Sequence, residues 1–138
     1  WDWCMNINLR GAHLCVREAI KNMKKQKYGK IVNISSVAAR IGGIASSVSY
    51  AASKGGLLSA TKSYAKVLGE YNINVNAVCP SVIKTNMTAN TNYSAAGIPL
   101  GRLGETDDVA EIIAFLASDA SKYITGQGID INGGSYMN

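Results

Sequence analysis

Short β-branched runs alternate with helical patterns along this chain, and this alternation limits the folds that it can adopt. Buried strands are predicted from apolar runs without strict alternation, at 30–34, 73–79 and 128–131. Helices are predicted at 2–26, at about 49–70 and from Thr106, which is the expected N-cap of the third helix. Strands alternating with helices predict an α/β fold with a parallel sheet, right-handed crossovers and flanking helices.

Turn signals fix where these elements end. Gly29 is the expected C-terminal cap of the first helix, and Pro80 ends the second strand because proline cannot extend a central ladder. Residues 81–106 are polar and irregular, and so long a loop in a small domain is usually functional. Ser36, Pro80 and this loop follow strand ends, so they should share the sheet edge where ligands of such folds bind.

Composition and charge exclude several functional classes. The net charge of +5 is concentrated in a basic run, Arg17, Lys21, Lys24, Lys25, Lys27 and Lys30. This run could be a nucleic-acid or acidic-membrane patch, or a solvated helix end whose lysines complement the helix dipole. The second interpretation is favoured because no aromatic residues interleave to stack on bases. We therefore expect no nucleic-acid partner.

Cysteine and apolar patterns point to an ordinary soluble protein. Three widely spaced cysteines and a single histidine, His13, indicate neither a disulfide framework nor a metal site. No apolar stretch approaches the length of a membrane span, and no signal-peptide pattern opens the chain. These features favour a reducing, cytoplasmic setting with no membrane partner.

Tyr50 and Lys54 are the first candidates for chemistry. Four residues apart on a helix, they lie on one face. An ammonium beside a phenol favours the phenolate, and such a pair can pass a proton to or from a substrate oxygen. The pair alone is weakly specific, since the chain holds seven tyrosines, and an exposed Tyr beside a Lys stem is the structural alternative.

Ser36 and Asn8 add polar groups to this pair. Ser36 ends a buried strand, where its hydroxyl could polarise a substrate oxygen or simply stabilise a turn. Asn8 lies in mid-helix among apolar neighbours, where an amide is costly unless it is bonded. It could anchor an ordered water in a proton relay, or it could be a structural amide at a kink.

Six segments in this order resemble the short-chain dehydrogenase/reductase family. They are NLRG (8–11), GKIVNISS (29–36), YAASK (50–54), INVNAVCP (73–80), GRLGE (101–105) and GQG to GG (126–134). The resemblance covers essentially all 138 residues. It implies the catalytic, C-terminal half of a Rossmann-like, doubly wound fold. Within the family the sequence resembles 3-oxoacyl-carrier-protein reductases and sugar or polyol dehydrogenases.

The resemblance also implies a mechanism and its residues. Tyr50 would be the acid in reduction and the base in oxidation, with Lys54 favouring its phenolate and holding the nicotinamide ribose. Ser36 would orient the carbonyl, and Asn8 would hold the relay water. Pro80, Ile83 and Thr85 would flank the nicotinamide of NAD or NADP, and 86–106 would cover the substrate. The substrate would be a small carbonyl or alcohol, and the protein a homodimer or homotetramer.

Two departures from the family pattern are visible. Ser81 stands where the family usually has glycine after the proline, and it would be strained if that position required a positive φ. No glycine-rich phosphate loop occurs in these 138 residues. We therefore expect a single partial domain, 1–138, without the dinucleotide-binding half. The alternatives are an inactive fragment or oligomerisation module, or a relative that uses the same pair for epimerisation or dehydration.

Overall fold

Three parallel strands form the centre of the computed structural model, which describes residues 1–43 and 46–137. The strands are β1 (Gly29–Ile34), β2 (Ile73–Pro80) and β3 (Gly128–Ile131). Strand β2 lies in the middle and pairs in parallel with both neighbours. The parallel α/β sheet expected from the sequence is confirmed, with each strand within one residue of its predicted bounds.

Helices connect and flank these strands. They are α1 (Asp2–Met5), a π-helical segment (Asn6–Gly11), α2 (Ala12–Gln26), α3 (Ala38–Ile41), α4 (Val48–Leu68) and α5 (Thr106–Ala117). The helix predicted over 2–26 is therefore helical throughout, but its π-helical segment was not predicted. The short helix α3 was not predicted either.

The end of α2 differs from the expected glycine cap. Lys27 takes the left-handed conformation with φ of 52°, whereas Gly29 is the first residue of β1. A Cβ on Gly29 would lie 2.6 Å from the sulfur of Met23, so this glycine lets the helix pack against the strand. Gly29 therefore serves close packing, whereas Lys27 makes the left-handed turn that ends α2.

The core lies between β2 and α4. Ile73 and Val75 of β2 pack with Ala65 and Leu68 of α4 in one buried cluster. Further along, Ala77 and Cys79 pack with Leu58 in a second cluster. These β2 residues alternate along the strand and so face the same side of the sheet. Helix α5 contributes to neither cluster yet contacts β1 and β2, so it covers the opposite face.

Helix α5 begins differently from the prediction that Thr106 is its N-cap. Glu105 is the N-cap and forms a capping box with Asp108. The Asp108 carboxylate also accepts hydrogen bonds from the Arg102 guanidinium at 2.6 and 2.8 Å. This interaction holds the pKa of Asp108 well below its usual range. The Glu105 carboxylate accepts from a backbone amide in the first turn of α5, so the Thr106 hydroxyl is not needed as the N-cap.

The basic run behaves as a solvated helix end. Lys24 and Lys25 occupy the last turn of α2, and the Lys24 ammonium lies 4.4 Å from the centre of the Tyr71 ring. Glu18 pairs with both Arg17 and Lys21. Within the ranges given above, no helix is long and apolar enough to cross a membrane. The same ranges contain no cluster of three or more His, Cys, Asp or Glu side chains suited to a metal ion.

Candidate active site

The carboxyl ends of β1 and β2 bring the first candidate residues together. The Ser35 amide donates to the Val78 carbonyl at 2.8 Å, and the Val37 amide donates to the Pro80 carbonyl at 2.9 Å. Ser36 therefore continues the edge of β1 directly beside the end of β2. This is the shared edge that the strand order predicted.

Lys54 reaches this edge from α4. Its ammonium donates to the carbonyl of Ile34, the last residue of β1, at 2.8 Å. The Ser35 hydroxyl donates to the main-chain carbonyl of Lys54 at 2.9 Å. These two bonds tie the helix to the strand end from both sides. Burial lowers the pKa of the Lys54 ammonium, and the nearby Cys4 sulfur opposes that shift by less.

Tyr50 lies one helical turn before Lys54. The start of α4 is fixed by Ser47, whose hydroxyl oxygen accepts from the Tyr50 amide at 3.1 Å. The Lys54 nitrogen lies 5.7 Å from the centre of the Tyr50 ring. The phenol is half-buried and has no hydrogen-bond partner within residues 1–43 and 46–137. A phenol beside an ammonium, with its oxygen unengaged, can exchange a proton with a bound molecule.

The Ser36 oxygen accepts from the Ala38 amide at 3.2 Å, which starts the turn into α3. Ser36 thus has the turn-stabilising role that the sequence offered as one alternative. Because this bond uses only the hydroxyl oxygen as an acceptor, the Ser36 hydroxyl hydrogen can still be donated to a ligand. In the part of the chain that the structure describes, no hydrogen bond joins Ser36 to Tyr50 directly.

Arg40 anchors the segment that follows Ser36. Its guanidinium forms two hydrogen bonds with the Asp130 carboxylate, at 3.1 and 3.2 Å, and one with the Gly128 carbonyl at 2.8 Å. Both side chains of the ion pair are mostly buried, at 16% and 17% exposed. The pair connects α3 to β3 and so holds the Ser36 turn against the sheet.

Asn8 is brought to α4 by the π-helical segment. Its side-chain nitrogen donates to the Ser53 hydroxyl at 3.1 Å and to the Cys4 sulfur at 3.4 Å. Asn8 and Lys54 line the same cleft, which has a volume of about 490 Å³. Sequence reasoning missed Ser53, Cys4 and Ser35. Cys4 stands four residues before Asn8 and Ser53 three after Tyr50, which are the helical spacings that could have identified them.

The segment after β2 carries the other candidate residues. The Ser81 amide donates to the Ile131 carbonyl at 3.0 Å, and Ser81 is not among the residues with positive φ. The serine is therefore unstrained where the family usually has glycine. Ile83 forms a bridge with Gly104, which closes the loop at its base.

Two donors could serve a nicotinamide ribosyl group. The Ile83 carbonyl accepts from the Thr88 hydroxyl at 2.7 Å, whereas no described residue accepts from the Ile83 amide. The Lys54 ammonium has three N–H groups and donates one of them to the Ile34 carbonyl. A free amide suits a carboxamide oxygen and a spare ammonium N–H suits a sugar hydroxyl, so the donor set fits this part of the cofactor. Thr85 is exposed and close to Thr88, with their hydroxyl oxygens 3.4 Å apart.

Comparison with known proteins supports the family. A family model described as enoyl-(acyl carrier protein) reductase matches residues 1–136. A 3-oxoacyl-[acyl-carrier-protein] reductase of Thermotoga maritima is 46% identical, over 97% of this chain and 56% of the relative. The corresponding reductase of Rickettsia felis is 44% identical, over 99% of this chain and 58% of the relative. The chain thus spans little more than half the length of these relatives.

Solved structures agree with the sequence relatives. A crystal structure of a 3-oxoacyl-[acyl-carrier protein] reductase from Brucella melitensis matches with a TM-score of 0.91 at 36% identity, over 95% of this chain and 51% of that one. A second Brucella melitensis structure of such a reductase, with bound NAD, matches with a TM-score of 0.89 at 36% identity, over 96% of this chain and 50% of that one. The sheet order, the Tyr-Lys pair on α4 and these matches agree: the chain belongs to the short-chain dehydrogenase/reductase family.

Proposed function

We propose that this chain is the catalytic half of an NAD(P)-dependent oxidoreductase that interconverts a carbonyl and a secondary alcohol. The observation that carries the proposal is the position of Lys54, which is held at the end of β1 with its ammonium 5.7 Å from the Tyr50 ring. A phenol without a hydrogen-bond partner, a half-buried ammonium and a serine hydroxyl then border one sheet edge. That combination suits proton transfer at a substrate oxygen.

Each residue has a defined part in the proposed reaction. When bound, the cofactor supplies the hydride that adds to the carbonyl carbon. Tyr50 donates the proton that the carbonyl oxygen takes up, and it accepts that proton in the oxidation direction. Ser36 donates its hydroxyl hydrogen to the same oxygen and so orients the substrate. The Lys54 ammonium favours the phenolate by its charge and offers its remaining N–H groups to the cofactor ribose.

The substrate class follows from the relatives. Several are 3-oxoacyl-[acyl-carrier-protein] reductases by name, so we propose a 3-oxoacyl thioester as the substrate. A sugar or polyol is the competing class. Comparing turnover of a short 3-oxoacyl thioester with that of a ketose at equal concentration discriminates between them.

The remaining cofactor contacts are proposed to lie outside these 138 residues. The chain contains no glycine-rich phosphate loop, and the candidate donors address only the nicotinamide ribosyl end. The 138-residue chain alone should therefore bind NAD(H) or NADP(H) weakly or not at all. Micromolar binding in calorimetry would contradict this division of the fold.

A second copy of the protein is the proposed partner. Trp3, Ile7 and Leu14 are 78%, 54% and 36% exposed on the first helical stretch, which otherwise packs against α4 and the sheet. Large apolar side chains in such numbers on one helical stretch favour an interface. Light scattering of the full-length protein should show a dimer or tetramer, and a Trp3→Lys, Ile7→Lys variant should shift it toward monomer.

Replacement of Tyr50 by Phe tests the mechanism. In the full-length enzyme we expect Tyr50→Phe to lower kcat by about 100-fold or more, because it removes the transferred proton while keeping the ring. Cofactor affinity, measured by fluorescence titration, should be nearly unchanged. The matched control is Tyr123→Phe, since Tyr123 is 100% exposed. Normal turnover by the Tyr50 variant would remove this residue from the acid/base role.

A further inference from the structure

The one-turn helix α3 follows Ser36 and has few apolar contacts to orient it. So short a helix is unstable in isolation, and its position therefore depends on contacts with other elements. Its apolar contacts come from small side chains, because Ala38 is buried and Ala39 packs against the cluster that contains Leu58 and Cys79. Apolar burial is non-directional, so the orientation of α3 must come from polar contacts.

Arg40 of α3 supplies the directional contact. Its Nε and one terminal nitrogen donate to the two oxygens of the Asp130 carboxylate, and the same terminal nitrogen donates to the Gly128 carbonyl at 2.8 Å. Paired bonds from a planar guanidinium to a carboxylate fix both the distance and the angle between the two groups. The third bond adds the main chain of β3, so α3 is fixed to a strand two positions from β1 in the sheet.

The guanidinium reaches β3 by crossing the face of β2. Asp130 lies in register with Cys79 of β2, and Cys79 is fully buried. A Cβ on Gly128 would lie 3.0 Å from the Arg40 guanidinium and 2.5 Å from the Leu58 side chain, so glycine leaves the space that the guanidinium occupies. The ion pair therefore spans the carboxyl ends of the three strands on the side that α4 covers.

Hydrogen-bonded backbone connects this ion pair to Ser36. The Arg40 amide donates to the Val37 carbonyl at 2.8 Å, and the Val37 amide donates to the Pro80 carbonyl at 2.9 Å. The Ser36 oxygen in turn accepts from the Ala38 amide. A displacement of Arg40 would therefore pass through one bonded turn to the Ser36 hydroxyl.

We propose that Arg40 is a positioning residue, which through its ion pair with Asp130 holds the Ser36 hydroxyl where it donates to the substrate oxygen. Arg40 acts through Ser36 and not on the substrate, since its side chain is only 16% exposed and is engaged with β3. Apolar side chains of similar volume often replace a buried ion pair without loss of stability, so the benefit we assign to this pair is orientation. This inference rests on the proposed function, because the position of Ser36 affects turnover only if Ser36 orients a substrate.

Two variants of the full-length enzyme separate orientation from stability. Arg40→Met should lower the urea midpoint of unfolding and should lower kcat about tenfold, with KM within about twofold of wild type. The double variant Arg40→Met, Asp130→Leu removes both charges and should return the urea midpoint to near that of wild type, while kcat stays about tenfold low. Recovery of kcat together with the midpoint would overturn the inference, because the pair would then serve stability alone.

Matched variants control this comparison. Arg40→Lys keeps the charge without the paired geometry, and it should recover part of the kcat that Arg40→Met loses. Arg17→Met breaks the exposed ion pair with Glu18 and should leave kcat unchanged. If Arg40→Met does not fold, Arg40→Lys and the double variant are compared by the same criteria.

A double-mutant cycle tests whether the effect of Arg40 passes through Ser36. In a Ser36→Ala background Arg40→Met should cause no further loss, so this double variant should have the kcat of Ser36→Ala alone. Losses in kcat that multiply would overturn the inference, since Arg40 would then act on another group.

Hydrogen exchange distinguishes a failure of this inference from a failure of the proposed function. The Ala38 amide, which donates to the Ser36 oxygen, should exchange about tenfold faster in both Arg40→Met variants than in wild type. The Thr61 amide, in the buried middle of α4, should be unchanged in the Arg40→Met, Asp130→Leu variant.

Faster Ala38 exchange in the variants of an enzyme that is inactive as wild type would contradict the proposed function but support the positioning by Arg40. The same Ala38 exchange in all variants of an active enzyme would overturn this inference alone.

Discussion

The two halves of the sheet's carboxyl edge are held in different ways. After β1, Ser35 and Lys54 exchange hydrogen bonds between strand and helix, and Ser35 is only 3% exposed. After β2, residues 81–105 bond mainly among themselves, and Met87 and Leu100 are 89% and 70% exposed. We infer that the β1 side fixes the proton-transfer groups, whereas the β2 side is free to vary with the substrate.

The largest effect should come from breaking the β1 side at Ser35. Ser35→Ala leaves the half-buried main-chain carbonyl of Lys54 without its side-chain donor. We expect the free energy of unfolding in urea to fall by about 1–3 kcal/mol. Turnover of the full-length enzyme should fall with it, because Lys54 is held by this contact.

The exposed Ser63 on α4 provides the control, and Ser63→Ala should change the free energy of unfolding by less than about 0.5 kcal/mol. If the Ser35→Ala and Ser63→Ala variants had equal free energies of unfolding, the Ser35 contact would not hold the β1 side of the edge more firmly than the β2 side.

A smaller effect should appear as a pH dependence of stability. Burial lowers the pKa of Lys54 from about 10.5, so between the folded-state and unfolded-state values the unfolded chain binds more protons than the native one. Unfolding free energy should therefore rise with pH across that window. Chemical denaturation of wild type and Lys54→Met isolates this contribution.

The difference between these two proteins should shift in favour of wild type as the pH increases toward about 10.5. A difference that stays constant with pH would mean that the Lys54 ammonium has the same proton affinity in the folded and unfolded states.

The smallest effect on stability should come from the β2 side. The Thr88 hydroxyl donates to the Ile83 carbonyl and accepts from the Thr85 amide. Both bonds join residues close in sequence, and Thr85 is exposed, so they add little to the stability of the fold. Thr88→Ala should lower the free energy of unfolding by less than about 1 kcal/mol and raise KM several-fold with little change in kcat. Thr91→Ala, at an exposed position of the same loop, is the control. A loss in kcat without a change in KM would place this loop in the chemistry.

The sequence predicted the elements that depend on local patterns. Apolar runs located all three strands, and the spacing of Tyr50 and Lys54 placed both on one helix. The left-handed Lys27 and the Glu105 cap were missed because glycine usually takes the left-handed position and Ser, Thr, Asp or Asn usually takes the N-cap.

The contacts of the candidate site were harder to predict than its residues. The bond from Asn8 to Ser53 joins residues separated by 45 positions, and nothing in local composition specifies it. The π-helical segment contacts α4, a tertiary contact that helical periodicity does not reveal, so the pattern alone indicated a regular helix over 2–26. Ser35 was passed over for its neighbour Ser36, although Ser35 is the one that bonds α4.

The π-helical segment also limits how this chain can change in length. Its wider turn holds about one residue more than an α-helical turn, so deleting one residue between Asn6 and Gly11 would restore a regular helix. Because the wider turn absorbs that residue, the deletion would keep the flanking helical stretches in register, whereas one further inserted residue would rotate everything before it by roughly 100° about the helix axis. That insertion would turn Cys4 away from Ser53. Insertions should therefore be tolerated between residues 86 and 100 and be excluded from this one turn.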